Sequence, residues 1–129
     1  MMIDDFKYAV IEIRTSGQVV LYAMKERRLD LSYLQRAVDG HIEIVNLRFR
    51  NAKNIPSRYL MVVDDEGLLK EKKPNGIASI LYGDLIVGDA VVGIQYLDPE
   101  PDIYAMPIEQ ARELAQYIKE HYATLKSYD

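Results

Sequence analysis

Three groups of side chains in this 129-residue chain have the types and spacing to do chemistry. The first is an acidic run, Asp64, Asp65 and Glu66. Clustered carboxylates hold a hard cation such as Mg²⁺ or supply a general base. These three fall at the end of an expected strand, where consecutive side chains point to opposite faces, so a solvated turn accounts for them better than a metal cage. The second group is basic. Arg48, Arg50, Lys53 and Arg58 border one polar stretch, and Lys70, Lys72 and Lys73 border another. Guanidinium forks grip phosphate or carboxylate through paired hydrogen bonds, and Tyr59 and Tyr82 stand nearby in sequence with rings able to stack on a base. If the two stretches meet, then Arg48, Arg50, Arg58, Tyr59, Asn75 and Tyr82 form a site for a small nucleotide-like ligand. Against this, charge-rich loops are commonly no more than solvated. The third group is the pair of histidines, His41 and His121. His41 shares a strand face with Glu43, but no nucleophile, base and orienting group can be named around either histidine. The chain has no H-E-x-x-H, P-loop, G-x-G-x-x-G or G-x-S-x-G motif. The expectation is a protein that is not an enzyme and needs no cofactor and no metal.

Whatever the site, one domain spanning residues 1–129 must position it. A chain of this length buries enough surface to fold without a staple, and it contains no cysteine, which fits a reducing compartment. Nothing near the start reads as a signal peptide and no apolar run reaches membrane-span length, so a cytoplasmic protein with no membrane partner is expected. The formal net charge of −4 disfavours general nucleic-acid binding, which relies on neutralised phosphates. Ten tyrosines against two phenylalanines and no tryptophan suit interfaces and pockets, although half-buried strands favour tyrosine too.

The elements follow from periodicity and punctuation. Residues 6–15 are apolar on both sides and read as a central strand; Ser16-Gly17 turns it into a second strand over 18–25. A short helix follows, with Leu31, Leu34, Ala37 and Val38 on one face. Asp30 and Ser32 compete to cap it, and Gly40 is expected to end it in the left-handed conformation. Residues 41–49 alternate as a strand, 50–58 form a polar loop, and 59–64 are the next strand. Residues 68–70 can pair back as a short strand after the Asp65-Glu66-Gly67 turn. Residues 77–82 read as a short helix ended by Gly83, and 85–94 as a strand interrupted at Gly88. The core is thus expected over 6–95, an acidic proline linker over 96–106, and a long helix over 107–127 opened by Pro107. That helix carries an apolar stripe that includes Ile118, Tyr122 and Leu125 at near-heptad spacing. It either packs on the chain's own sheet or forms a homo-oligomer interface through those three residues. The fold class is α+β: a mainly antiparallel sheet with a short helix after the second strand and a long C-terminal amphipathic helix.

The central stretch has a further property. Asp65, Glu66, Gly67, Leu68, Leu69 and Lys70, then Pro74-Asn75, then Ala78, Leu81 and Tyr82, then Ile86-Val87-Gly88, follow one another in an order that resembles a family of small domains of unknown function. The family pattern runs E-E-G-L-L-K, P-N, A-x-x-L-Y, I-V-G. Such domains occur in bacteriophages, plasmids and conjugative elements. The resemblance covers about residues 8–95 and implies a mobile-element origin and action in the host bacterial cytoplasm, but no reaction. It marks Glu66, Asn75 and Tyr82 as polar positions of the pattern. Combined with the missing catalytic set, it leads to one functional expectation. This is a small non-enzymatic binding protein that interferes with a host process, either by sequestering a nucleotide-derived molecule or by blocking a host protein. The alternatives are a metal-dependent enzyme acting on a phosphorylated metabolite through Asp64–Glu66, and a structural protein that dimerises through the terminal helix.

Overall fold

The computed structural model describes residues 6–47, 57–96 and 102–122. Its elements run β1 (Tyr8–Ile13), β2 (Val19–Met24), α1 (Leu31–Val38), β3 (Ile42–Asn46), β4 (Ser57–Asp64), α2 (Gly76–Tyr82), β5 (Ala90–Tyr96), β6 (Met106–Pro107) and α3 (Ile108–Tyr122). The sheet order is β2-β1-β5-β4-β3, and β6 pairs with the start of β1 where β5 does not reach. Every pairing of named strands is antiparallel. This is the α+β class expected, with the short helix after the second strand and the long helix near the C-terminus.

Strand alternation divides the core between two faces. Ile11 and Ile13 of β1, Met61 and Val63 of β4, and Val92 and Ile94 of β5 face α2 and α3. Val10, Leu60, Val62 and Val91 face α1, where they meet Leu34 and Val38. β1 is apolar on both sides because helices cover both. α3 lies over β1, β2 and β6 and buries Ala111, Leu114, Ala115 and Ile118 there. Ile118 is wholly buried in the chain's own core and Tyr122 packs at its margin, so this stripe is closed by the sheet. Leu125 lies outside the described residues. No helix among the described residues is long and apolar enough to cross a membrane.

Several local expectations changed in the folded chain. Asp30, with extended backbone, caps α1 by accepting the Ser32 N–H, so the earlier of the two rival caps is used. The left-handed residue at the other end is Asp39 (φ 56°), not Gly40. The Asp39 N–H bonds to the Arg36 carbonyl and the Gly40 N–H to the Gln35 carbonyl, which closes the helix one residue earlier than the glycine suggested. Gly40 is needed for space instead: a Cβ there would collide with the Asp64 carboxylate and the Lys70 ammonium. Residues 68–70 form no strand; 65–71 are successive turns. β5 begins at Ala90, because residues 85–88 are taken up in contacts with 67–75. The described part of the expected linker is stitched into the sheet. Ile94 and Tyr104 exchange backbone bonds at 2.9 Å, and the Ala105 N–H donates to the Arg27 carbonyl at 2.7 Å.

Candidate functional site

The turn residues of the recognisable pattern gather where β4 ends, and a buried carboxylate organises them. Asp64 ends β4, and its side chain is fully buried. Its Oδ1 accepts the Glu66 N–H at 2.9 Å, which bends the chain back. Its Oδ2 accepts from Lys70 Nζ at 2.8 Å and pairs with Lys72 Nζ at 2.6 Å. Both lysines then reach α1. Lys72 Nζ donates to the carbonyls of Val38 (2.7 Å) and Asp39 (2.9 Å), and Lys70 Nζ to that of Asp39 (3.1 Å). Two ammonium groups thus satisfy the last carbonyls of a helix, where positive charge is favoured, and tie them to the turn.

The electrostatics agree with this geometry. Burial alone would push the Asp64 carboxyl up, but hydrogen bonds from Lys70, Lys72 and the Glu66 N–H override it and hold the pKa at about 2. The hydrogen bond to Asp64 raises Lys70 in return. The turn ends at Glu71, in the left-handed region (φ 56°), with the Glu71 N–H on the Leu68 carbonyl and the Lys72 N–H on the Gly67 carbonyl. Gly67 lies so close to the next segment that an added Cβ would stand 2.8 Å from a Val87 methyl.

Asn75 performs a second anchoring task. It is 1% exposed and caps α2 by accepting the Ala78 N–H at 3.2 Å. Its Nδ2 donates to the carbonyls of Ile13 and Gly88, both at 2.9 Å, so it joins β1, α2 and the segment before β5. The side-chain amide is fully used, and a ligand role for Asn75 would require breaking the core.

Of the other residues nominated for a nucleotide-like ligand, the described ones do not converge. Tyr59 is buried on the α3 face, where its hydroxyl accepts from Gln110 at 3.0 Å. Tyr82, the last residue of α2, packs against the same core cluster. Arg58 is exposed near the start of β4, six residues from Asp64, or roughly 20 Å along an extended strand. It therefore stands at the opposite end of the sheet from the lysine turn. Arg48 and Arg50, with Lys53, lie outside the described residues. Of the acidic run, Asp64 has both oxygens occupied by cations and an N–H, while Asp65 and Glu66 point to solvent. Among the described residues no three acidic or histidine side chains are grouped to hold a metal ion.

What sequence reasoning missed is the pair between the anchors. Leu68 and Leu69 are 70% and 83% exposed. The latch fixes the backbone on either side of them and leaves both side chains in water. Leu85 and Ile80, on the two neighbouring segments, are about half exposed as well. The signal in the sequence is limited to two adjacent leucines between Gly67 and Lys70, which read there as a short strand pairing back after the turn. No curated protein and no solved structure matches the chain. A family model described as a domain of unknown function, DUF3846, matches residues 1–121, and the chain belongs to that family.

Proposed function

We propose that this chain is a non-enzymatic binding protein of phage or mobile-element origin that acts in the bacterial cytoplasm by blocking a host protein. The carrying observation is the pair Leu68–Leu69, held out in solvent on a turn that two lysines and a buried carboxylate lock in place. Apolar side chains exposed side by side form a contiguous patch of the kind that marks interaction sites, and a fixed backbone lowers the entropy lost on docking. Asp65, Glu66, Lys70 and Glu71 border the pair in sequence and carry both signs of charge, so the complementary surface is above all an apolar slot. Of the two modes expected from the sequence, protein blocking is favoured over nucleotide sequestration, since among the described residues nominated for a nucleotide Tyr59 and Asn75 are buried in internal contacts and Arg58 stands at the far end of β4.

The test is site-specific photocrosslinking. A benzophenone side chain placed at Leu69 is expected to trap one host protein in cells, and the same group at Lys119 is not. The complex rebuilt from purified components should then be lost in the Leu68→Ser/Leu69→Ser double variant. A rebuilt complex indifferent to that variant sinks the reading. So does a native mass spectrum in which the purified protein carries a nucleotide.

A further inference from the structure

A second surface, at the opposite flank of α1, carries an inference independent of the leucine turn. β3 is an edge strand whose sole strand partner among the described residues is β4. The His41 carbonyl accepts the Asp65 N–H and the Leu47 N–H donates to the Tyr59 carbonyl, so the odd-numbered residues face β4. Antiparallel alternation then turns the backbone N–H and C=O groups of Ile42, Ile44 and Asn46 outward. The side chains of those three residues lie on the α1 face, where Ile44 stands opposite Val62.

α1 does not reach far enough to cover that face. A cavity of about 560 Å³ remains, floored by Leu31, Leu34, Ile42 and Ile44. Ile44 is 44% exposed and Leu31 54%, although Leu31 belongs to the apolar stripe of α1. Among the described residues, the rim bears Glu26, Asp30 and Asp102 against one cation, Arg28, which pairs with Asp102 at 3.2 Å. An apolar groove with a surplus of negative charge thus runs beside a row of outward-facing backbone donors and acceptors.

We propose that β3 accepts an extended segment of a partner protein as an additional strand. Main-chain hydrogen bonds to Ile42, Ile44 and Asn46 supply the pairing. Apolar side chains at every second position of the segment enter the groove, and lysine or arginine meets the acidic rim. Strand addition of this kind draws affinity from the backbone and selectivity from the alternate pockets. The charge of the rim selects a basic segment over an acidic one.

The experiment uses the whole protein and a fluorescein-labelled peptide of alternating isoleucine and lysine, followed by anisotropy. Its controls are the isoleucine–glutamate peptide and a copy of the first peptide with alternate backbone amides N-methylated. The basic peptide is expected to bind, the acidic one to fail, and N-methylation to weaken binding by about tenfold or more, since it deletes hydrogen bonds and leaves charge intact. Ile44→Lys should weaken the basic peptide by at least a similar factor, while Leu69→Ser leaves it unchanged. The proposal is overturned by absence of binding, by equal binding of the N-methylated peptide, or by binding that survives Ile44→Lys. It is also overturned if native mass spectrometry shows a dimer that Ile44→Lys dissociates, for then a second copy occupies the edge. The N-methylation arm needs no protein variant and holds even if Ile44→Lys folds poorly.

Discussion

The turn at residues 65–72 and helix α3 place apolar side chains beside charge in opposite ways. In α3, Ala111, Leu114, Ala115 and Ile118 recur at the helical period and disappear into the sheet. The charges there, such as Glu109, Arg112 and Lys119, decorate the outer side. In the turn the arrangement is inverted. The charge, on Asp64, is buried, and the leucines are outside. Periodic apolar residues are buried by their own helix face. Adjacent leucines have no common face to bury, so their position is decided by whatever fixes the backbone around them. Here that is an ionic anchor and not an apolar one, and a stretch that looks interfacial in α3 is internal while a stretch that looks like a strand is an exposed turn.

The largest expected effect breaks the apolar side of this contrast. Ile118→Asp places a carboxylate in the core between α3 and the sheet. We expect it to cost more than about 5 kcal/mol and to unfold the domain, as judged by loss of the cooperative circular-dichroism transition. A soluble, folded variant that only changed its association state would show instead that the stripe serves an interface. Next is Asn75→Ala. It removes the α2 cap and leaves the carbonyls of Ile13 and Gly88 without their donor, at a cost of about 4 kcal/mol in denaturant unfolding.

The ionic side is tested by Asp64→Asn. One oxygen is exchanged for an amide that cannot accept from two ammonium groups, and Lys72 loses its principal counter-charge. We expect a loss of about 3 kcal/mol, less than for a fully enclosed pair because Lys70 is partly in solvent. The pH dependence has a fixed sign. The carboxyl titrates at about 2 in the folded chain against an ordinary 3.8. An unfolded chain therefore binds this proton first as pH falls. The contribution is complete above pH ~4 and is lost between there and pH ~2. Unfolding curves across that window should fall more steeply for the native chain than for Asp64→Asn, and equal slopes would remove the anchor from the account.

Much of the fold was legible from punctuation and period. The hairpin of β1 and β2, the doubly apolar β1, α2 between Asn75 and Gly83, and the packing stripe of α3 all follow from local rules. What escaped was long-range polar contact. Nothing near Gly40 announces that a carboxylate from β4 will press against it, and nothing near Asp39 announces that an acidic residue will hold the left-handed position. Residues 102–106 read as a linker because two of their backbone partners, Arg27 and Leu29, are distant in sequence. The inward placement of Tyr59 and Asn75 was hidden for the same reason. Sequence proximity placed Tyr59 and Asn75 near basic loops, whereas strand alternation and the cap of α2 turned both inward.

The smallest stability effect is the most informative about function. Leu68→Ser/Leu69→Ser removes two side chains that are mostly in water and leaves Asp64, Lys70 and Lys72 in place. The unfolding free energy should change by no more than about 0.5 kcal/mol, and the acid transition should not move. A loss above ~1 kcal/mol would mean that the leucines pack on the latch itself. They would then be structural, and their exposure would no longer argue for a partner. Asp64→Asn sharpens the same point from the other side. It keeps both leucines but loosens the turn that presents them, so at a temperature where the variant stays folded it should weaken partner binding while the leucines remain intact. The docking surface proposed here needs both parts, the apolar pair and the anchor that holds it rigid.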